Sequence, residues 1–207
     1  MLHTFGDSHG SKENWESLVE YGLAKTNKLG PRLMYSVGRD KLKILDISDP
    51  EYNIKDGDLV LFSFGEVDCR NHIAKHVNME RPYKKIIENL VKNYLDVIAM
   101  NIKKLSDKKI NLRKVFIYNI IPCSKAKDIK YHSKTYPFVG TDEERRTYHN
   151  YMNKMLKEHC EEYGYIFVDI YEHYLDNETG YLNRKLANDI HLKKTQYFEN
   201  KIKNLIK

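Results

Sequence analysis

The chain has 207 residues, of which 41% are hydrophobic and 31% are charged. This balance is typical of a soluble globular protein, and the length predicts a single domain over residues 1–207 with a substantial buried core. No apolar run approaches the roughly 20 residues that a membrane-spanning helix needs, so we expect no membrane span.

The formal net charge of the chain is +6. Its lysines are interleaved with acidic residues along predicted helices, which is typical of a solvated face, so we expect no nucleic-acid partner. The cysteines at positions 69, 123 and 160 have no paired spacing and are interpreted as reduced thiols rather than metal ligands. The first residues do not form a readable signal peptide, so we expect a cytoplasmic protein of undetermined oligomeric state.

Nearly continuous apolar runs predict the strands of the fold. Such runs suit the strands of a parallel sheet that is covered on both faces. The runs cover residues 2–5, 33–37, 58–64, 114–121 and 165–170.

Helical patterns separate these predicted strands. Apolar residues recur at three- and four-residue intervals over residues 82–105, and Pro82 suits a first helical turn. Thr141 and Glu144 form a capping-box pattern that opens the next helix, and residues 195–206 predict a final amphipathic helix. This alternation of strands and helices predicts an α/β fold with a parallel sheet.

Polar residues follow several of the predicted strands, and ligands bind at the carboxyl ends of strands in such sheets. Ser8 follows the first strand in a turn that exposes its hydroxyl and directs backbone N–H groups toward an oxyanion. A serine nucleophile needs a base, for which His191 is the candidate, and Asp189 is close enough in sequence to orient that base.

Four sequence blocks appear in order along the chain: Phe5-Gly6-Asp7-Ser8, Gly38, Gly65-Glu66-Val67-Asp68 and Asp189-Ile190-His191-Leu192. With these blocks the chain resembles the SGNH/GDSL hydrolase superfamily over nearly its whole length. The segment 62–70 also looks like a branch found beside polysaccharide-modifying proteins. The resemblance implies a flavodoxin-like, three-layer α/β/α sandwich with a central five-stranded parallel sheet, and it implies no metal or organic cofactor.

The resemblance also implies a role for individual residues. Ser8 would be the nucleophile, and His191 would act first as general base and then as general acid. The backbone N–H groups of Ser8 and Gly38 would form the oxyanion hole.

The chain departs from the family pattern in its third block. Val67 stands where the family has an asparagine whose amide donates to the oxyanion. We hypothesise that Arg70, a permanently charged donor, replaces that amide or holds an acidic group of the substrate. The alternative is an ion pair of Arg70 with Glu66 or Asp68.

A second departure lies in the last block. Asn188 stands where the family has an aspartate three residues before the histidine. We predict that Asp189 orients His191. Asn188 could do so instead, or the enzyme could work as a Ser-His dyad with a backbone carbonyl as the orienting group.

Other polar residues are candidates for substrate contact on the same rim. Asp7 is expected to cap the turn that follows it, whereas His9 could line the pocket or be solvated. Aromatic residues of the long loop over residues 122–140 could stack on a sugar or pack the loop down. The rim candidates are Glu66, Asp68, Asn71, His72 and Asn188, and the loop aromatics are Tyr131, His132, Tyr136 and Phe138.

These residues predict a serine esterase that removes a small acyl group, such as acetyl, from a carbohydrate or similar metabolite. An O-acyltransferase would form the same acyl-enzyme and pass the acyl group to a sugar hydroxyl. A non-catalytic glycan-binding module on the same fold is the third possibility, and it is supported by Val67 and Asn188.

Overall fold

The computed structural model describes residues 1–10, 15–130 and 134–207. At its centre lies a parallel sheet of five strands in the order β2-β1-β3-β4-β5, which is the flavodoxin-like order. The predicted α/β class with a five-stranded parallel sheet is therefore confirmed. The strands are β1 (Leu2–Gly6), β2 (Ala24–Lys28), β3 (Leu59–Ser63), β4 (Lys114–Tyr118) and β5 (Ile166–Val168).

Helices connect these strands, and two short antiparallel hairpins follow β5. The predicted capping box between Thr141 and Glu144 opens α5. The helices are α1 (Glu16–Glu20), α2 (Met34–Asp40), α3 (Ile73–His76), α4 (Tyr83–Asp107), α5 (Asp142–Glu162), α6 (Tyr171–Tyr174) and α7 (Gln196–Ile206). The hairpins pair β6 (Leu175–Asp176) with β7 (Tyr181–Leu182), and β8 (Ala187–Asn188) with β9 (His191–Leu192).

Side chains that alternate along each strand divide the interior into two cores, one on each face of the sheet. Phe62 of β3 contributes to the core shared with α2, α4 and α5. Its neighbour Leu61 contributes to the core shared with α1 and α7. The three-layer arrangement follows from this alternation. The cysteines are buried and free, and no helix among the described residues is long and apolar enough to cross a bilayer.

The strand predicted over residues 33–37 is wrong, because this segment begins helix α2. Its apolar run is short, and the buried residues Met34, Val37 and Gly38 lie three and four positions apart, which is a helical spacing. The second strand is instead β2, with the sequence Ala-Lys-Thr-Asn-Lys. This strand lies at the sheet edge and is only partly buried, so its sequence shows no apolar run.

This correction also moves Gly38, which was expected to follow a strand and donate to an oxyanion. Gly38 lies inside α2 and faces α4, where a Cβ atom on it would come within 2.8 Å of the Asn93 Cβ. The glycine therefore allows the close approach of the two helices.

We expect Gly38→Ala to lower the free energy of unfolding by about 1–3 kcal/mol, because the added methyl overpacks this helix contact. Urea denaturation measures the change, and Ser36→Ala in the same helix is the control, expected to change it by less than about 0.5 kcal/mol. An unchanged stability in the Gly38 variant would contradict the packing role.

Candidate active site

The turn that carries Ser8 follows β1 directly and is held in place by hydrogen bonds and close packing. Ser8 begins a short 3-10 turn over Ser8–Gly10. The Thr4 hydroxyl donates to the Gly10 carbonyl at 2.5 Å, and a Cβ atom on Gly6 would collide with the Ser63 carbonyl of β3. Asp7 caps the turn as expected, since its Oδ1 accepts the His9 N–H at 2.9 Å. The serine hydroxyl is thus presented at the carboxyl edge of the sheet.

His191 reaches this turn from the far end of the chain. It is the first residue of β9, in the hairpin that β9 forms with β8. Its Nε2 lies 2.8 Å from the Ser8 Oγ. For Nε2 to accept the serine proton, the neutral ring carries its own hydrogen on Nδ1. The structure therefore brings the predicted nucleophile and base into hydrogen-bond contact.

Asp189 lies in the turn of this hairpin in a left-handed conformation, with φ of 57°. Its Oδ1 accepts the Lys130 N–H at 3.1 Å, and its carbonyl accepts from Arg184 at 2.6 Å. Asn188 is paired directly opposite His191 across the hairpin, so the Cβ atoms of the two residues are about 4.5–5.5 Å apart on one face. Which of Asp189 and Asn188 orients the imidazole stays a prediction.

Arg70 forms the ion pair that was the alternative to its oxyanion role. Its Nε and one terminal nitrogen donate to the two carboxylate oxygens of Glu66 at 2.8 and 3.1 Å. The other terminal nitrogen donates to the Tyr136 carbonyl. Burial would raise the pKa of Glu66, but the charge and hydrogen bonds of Arg70, together with the charge of His9, outweigh this effect and lower the pKa to about 2. Both side chains are thus committed to a buried charge pair rather than to the substrate.

Asp68 does not reach the rim, contrary to its predicted contact with substrate. It is fully buried, and its carboxylate accepts the backbone N–H groups of Met34 and Tyr35 at the start of α2, at 2.5 and 3.0 Å. Burial raises the pKa of Asp68 to about 7, against the opposing effect of these two bonds. Its role is to hold the first turn of α2 against the segment after β3.

Asn71 is also buried, and both the nitrogen and the oxygen of its side-chain amide form hydrogen bonds with protein groups. Its Nδ2 donates to the Pro137 carbonyl at 2.9 Å, and its Oδ1 accepts from Lys75 at 2.9 Å. The predicted substrate contact is replaced by a bond that fixes the long loop.

The ring of Phe138 in that loop lies between two guanidinium groups. Arg70 and Arg145 approach its centroid to 5.4 and 4.9 Å. Arg145 itself is buried and donates to the carbonyls of Val139 and Gly140. Phe138 therefore packs the loop down, while Tyr131 and His132 lie outside the described residues.

His72 is the rim candidate that lines a groove. Its ring stacks on Tyr35 at 4.5 Å and contacts His76 at 4.4 Å. Burial lowers the pKa of His72 to about 4, so the ring is neutral at pH 7. The groove has a volume of about 680 Å³. Its lining also includes cationic and amide side chains such as Lys85 and Asn89, the carboxylate of Glu80, and the apolar residues Ile86 and Leu90.

Comparison with known proteins identifies this arrangement at the level of the fold. No protein-family model and no curated protein matches the sequence. Among solved structures, a GDSL-like lipase of Bacteroides thetaiotaomicron matches with a TM-score of 0.60 at 14% identity, over 99% of this chain and 86% of that one. A catalytic mutant of an acetylxylan esterase from Geobacillus stearothermophilus matches with a TM-score of 0.54 at 11% identity, over 98% and 90% of the two chains. The chain has the SGNH/GDSL hydrolase fold.

Within this SGNH/GDSL fold, two buried groups differ from what the sequence indicated: His9, expected to line the pocket or be solvated, is buried in the protein, and Arg145 was not singled out. His9 is 8% exposed, and its ring lies between Asp7 and the carbonyl of Ile190. Arg145 is 1% exposed and holds the loop that ends at Gly140. The position of His9, directly after Ser8 and two residues after Asp7, was a usable signal that its ring is near the site. Arg145 lies among exposed charged residues of α5, so the sequence gives no signal that this residue is buried.

We expect Arg70→Met to lower the free energy of unfolding by about 3–5 kcal/mol, because it leaves the buried Glu66 carboxylate without its partner. Urea denaturation is the measurement. Arg70→Met combined with Glu66→Gln should lose less than Arg70→Met alone, since no charge then stays buried.

Lys103→Met is the matched control for this prediction, because Lys103 and Asp107 form an ion pair with the same four-residue spacing. The side chains of that pair are 77% and 66% exposed, against 7% and 8% for Arg70 and Glu66. An exposed pair adds little to stability, so no measurable change is expected. Equal losses in the Arg70 and Lys103 variants would contradict a special role for the buried pair.

Proposed function

We propose that this protein is a serine esterase that removes a small acyl group, such as acetyl, from a carbohydrate or similar metabolite. The proposal depends on the 2.8 Å contact between the Ser8 Oγ and the His191 Nε2 at the carboxyl edge of the sheet. A hydroxyl in contact with an imidazole is the arrangement that nucleophilic acyl transfer needs.

In the first half of the reaction, Ser8 Oγ attacks the ester carbonyl carbon as its proton passes to His191 Nε2. The tetrahedral oxyanion then collapses, the bond to the alcohol oxygen breaks, and His191 returns the proton to that leaving group. The acyl group remains as an ester on Ser8.

In the second half, water attacks the acyl-enzyme and gives its proton to His191. Collapse of the second tetrahedral species breaks the bond to Ser8 Oγ, which regains the proton from His191. The products are the carboxylic acid and the free enzyme. An acyltransferase would differ only in that a sugar hydroxyl takes the place of the water.

Backbone groups beside Ser8 are the candidates for oxyanion stabilisation. Among the described residues, the Ser8 N–H donates to no other protein group, so it is available to the substrate. We place the second donor in the loop after β2 at Gly30, rather than at Gly38. This loop starts beside the nucleophile turn, because the Leu29 N–H donates to the Gly6 carbonyl at 3.0 Å.

We propose the groove at Tyr35 and His72 as the place where a carbohydrate carrier of the acyl group would bind. The aromatic rings of the groove offer flat apolar faces, and its amide and cationic side chains offer hydrogen-bond donors for hydroxyl groups. The volume of about 680 Å³ lies within the range of small-molecule sites. One of the matching solved structures is that of an acetylxylan esterase, a name that agrees with this substrate class.

Ser8→Ala should abolish turnover of para-nitrophenyl acetate, with a loss of about 10⁴-fold or more in kcat, since no nucleophile remains. A fluorophosphonate probe should label the wild-type protein and not this variant. Ser124→Ala, which removes another serine that follows a strand, is the control and should label normally.

The same assay separates the alternatives. Labelling at Ser8 with no hydrolysis of acetyl esters would favour the acyltransferase. The absence of labelling and of Ser8-dependent turnover would contradict catalysis altogether and favour the binding module.

Separate Asp189→Ala and Asn188→Ala variants test the orienting residue. We expect the Asp189 variant to lose at least tenfold in kcat/KM with the same acetyl ester, because His191 would lose the partner that stabilises its charged form. Loss of activity in the Asn188 variant alone would contradict the choice of Asp189. Thermal unfolding of both variants controls for damage to the hairpin.

A further inference from the structure

His9 follows the nucleophile directly, yet its side chain has no part in the steps above. The ring is turned into the protein, and only 8% of the residue is exposed. Its Nδ1 lies 3.1 Å from Asp7 Oδ1, and its Nε2 lies 3.1 Å from the carbonyl oxygen of Ile190. Ile190 immediately precedes His191, so His9 joins the turn of the nucleophile to the segment of the base.

The geometry around His9 requires a charged ring. Both neighbouring oxygens are acceptors, and a neutral imidazole carries a hydrogen on only one of its nitrogens. Both bonds can therefore form only in the imidazolium. Burial would lower the pKa of His9, but the Asp7 carboxylate and other groups outweigh this effect and raise the pKa to about 9.

Two carboxylates face the charged ring of His9 and favour its charged form. Asp7 faces it from its own turn, and Glu66 faces it from the segment after β3 across a small cavity that both residues line. The His191 ring lies 5.4 Å away in the hairpin. His149 on α5 also faces this region, and burial lowers its pKa to about 4, so it adds no charge at pH 7.

We propose that His9 is a positioning residue for His191, holding the carbonyl of Ile190 against the turn that carries Ser8. The contact between Ser8 and His191 is a single bond between neutral groups, whereas the bond from His9 is charge-assisted and therefore stronger. A displacement of about 1 Å in catalytic geometry can cost roughly 100-fold in rate. The kinetic consequence of this proposal rests on the esterase function proposed above.

Two substitutions separate the two bonds that His9 makes. In His9→Gln the amide nitrogen takes the place of Nε2, so the donor to Ile190 is kept while the contact with Asp7 is lost. In His9→Asn the amide nitrogen takes the place of Nδ1, so the donor to Asp7 is kept while the contact with Ile190 is lost. The charge is removed in both variants.

We expect His9→Asn to lower kcat for para-nitrophenyl acetate by about 30- to 100-fold with little change in KM. His9→Gln should restore most of that loss. Equal losses in the two variants would show a general structural role, and an unchanged kcat in His9→Asn would show no role. Either result would overturn the proposal.

The pH profile gives a second readout. Above pH 9 the ring of His9 loses a proton, and the remaining hydrogen stays on Nδ1 beside the Asp7 carboxylate, so the bond to Ile190 is lost. The wild-type kcat should therefore fall as the pH rises through about 9. His9→Gln should lack this alkaline limb, and its persistence in that variant would overturn the proposal.

Hydrogen exchange tests the same bond without turnover. Backbone amides of residues 187–192 should exchange at least tenfold faster in His9→Asn than in the wild type, with near wild-type exchange in His9→Gln. Equal exchange in all three proteins would overturn the positioning role. Failure of Ser8 to react would instead overturn the esterase function, while the exchange result would still decide whether His9 holds the hairpin.

Discussion

The hydrogen bond between Ser8 Oγ and His191 Nε2, at 2.8 Å, is the contact on which the proposed chemistry depends. A bond between two neutral groups contributes only about 0.5–1.5 kcal/mol net, so it cannot by itself bring the two ends of the chain together. The parallel sheet fixes the nucleophile turn after β1, and the β8–β9 hairpin presents the imidazole to it. The contact is a consequence of how these two elements are held.

Four buried side chains of alternating charge lie near this contact. They are Asp7, His9, Glu66 and Arg70. Each is hydrogen-bonded to an oppositely charged neighbour, which offsets much of the cost of taking it out of water. Together they connect the nucleophile turn, the segment after β3 and the loop around Tyr136. The third sequence block, residues 65–68, therefore helps to hold together the segments that carry the candidate site. Because Val67 has no amide donor and Arg70 is paired with Glu66, the proposed oxyanion hole consists of backbone N–H groups.

The fold by itself does not select a substrate, because one fold carries many activities. Two of the solved structures that match this chain are a GDSL-like lipase and an acetylxylan esterase, at identities of 14% and 11%. The contact between Ser8 and His191 supports the proposed acyl chemistry. The proposed carbohydrate substrate rests on the groove where Tyr35 stacks on His72. A hydrolase and a transferase share the first half of the reaction, so what separates them is the molecule that attacks the acyl-enzyme.

The sequence by itself determined the elements whose signal is local: four of the five strands, the long helices α4 and α5 with the Thr141 cap, and the candidates Ser8 and His191. Tertiary structure decided the rest. The polar edge strand β2 forms only because β1 offers it a partner. Three side chains of the third block region could bind substrate by their chemistry, but each forms hydrogen bonds with protein groups instead. They are Glu66, Asp68 and Arg70. Residue type sets what a side chain can bind, whereas its partner depends on which distant segments the fold places within about 3 Å of it.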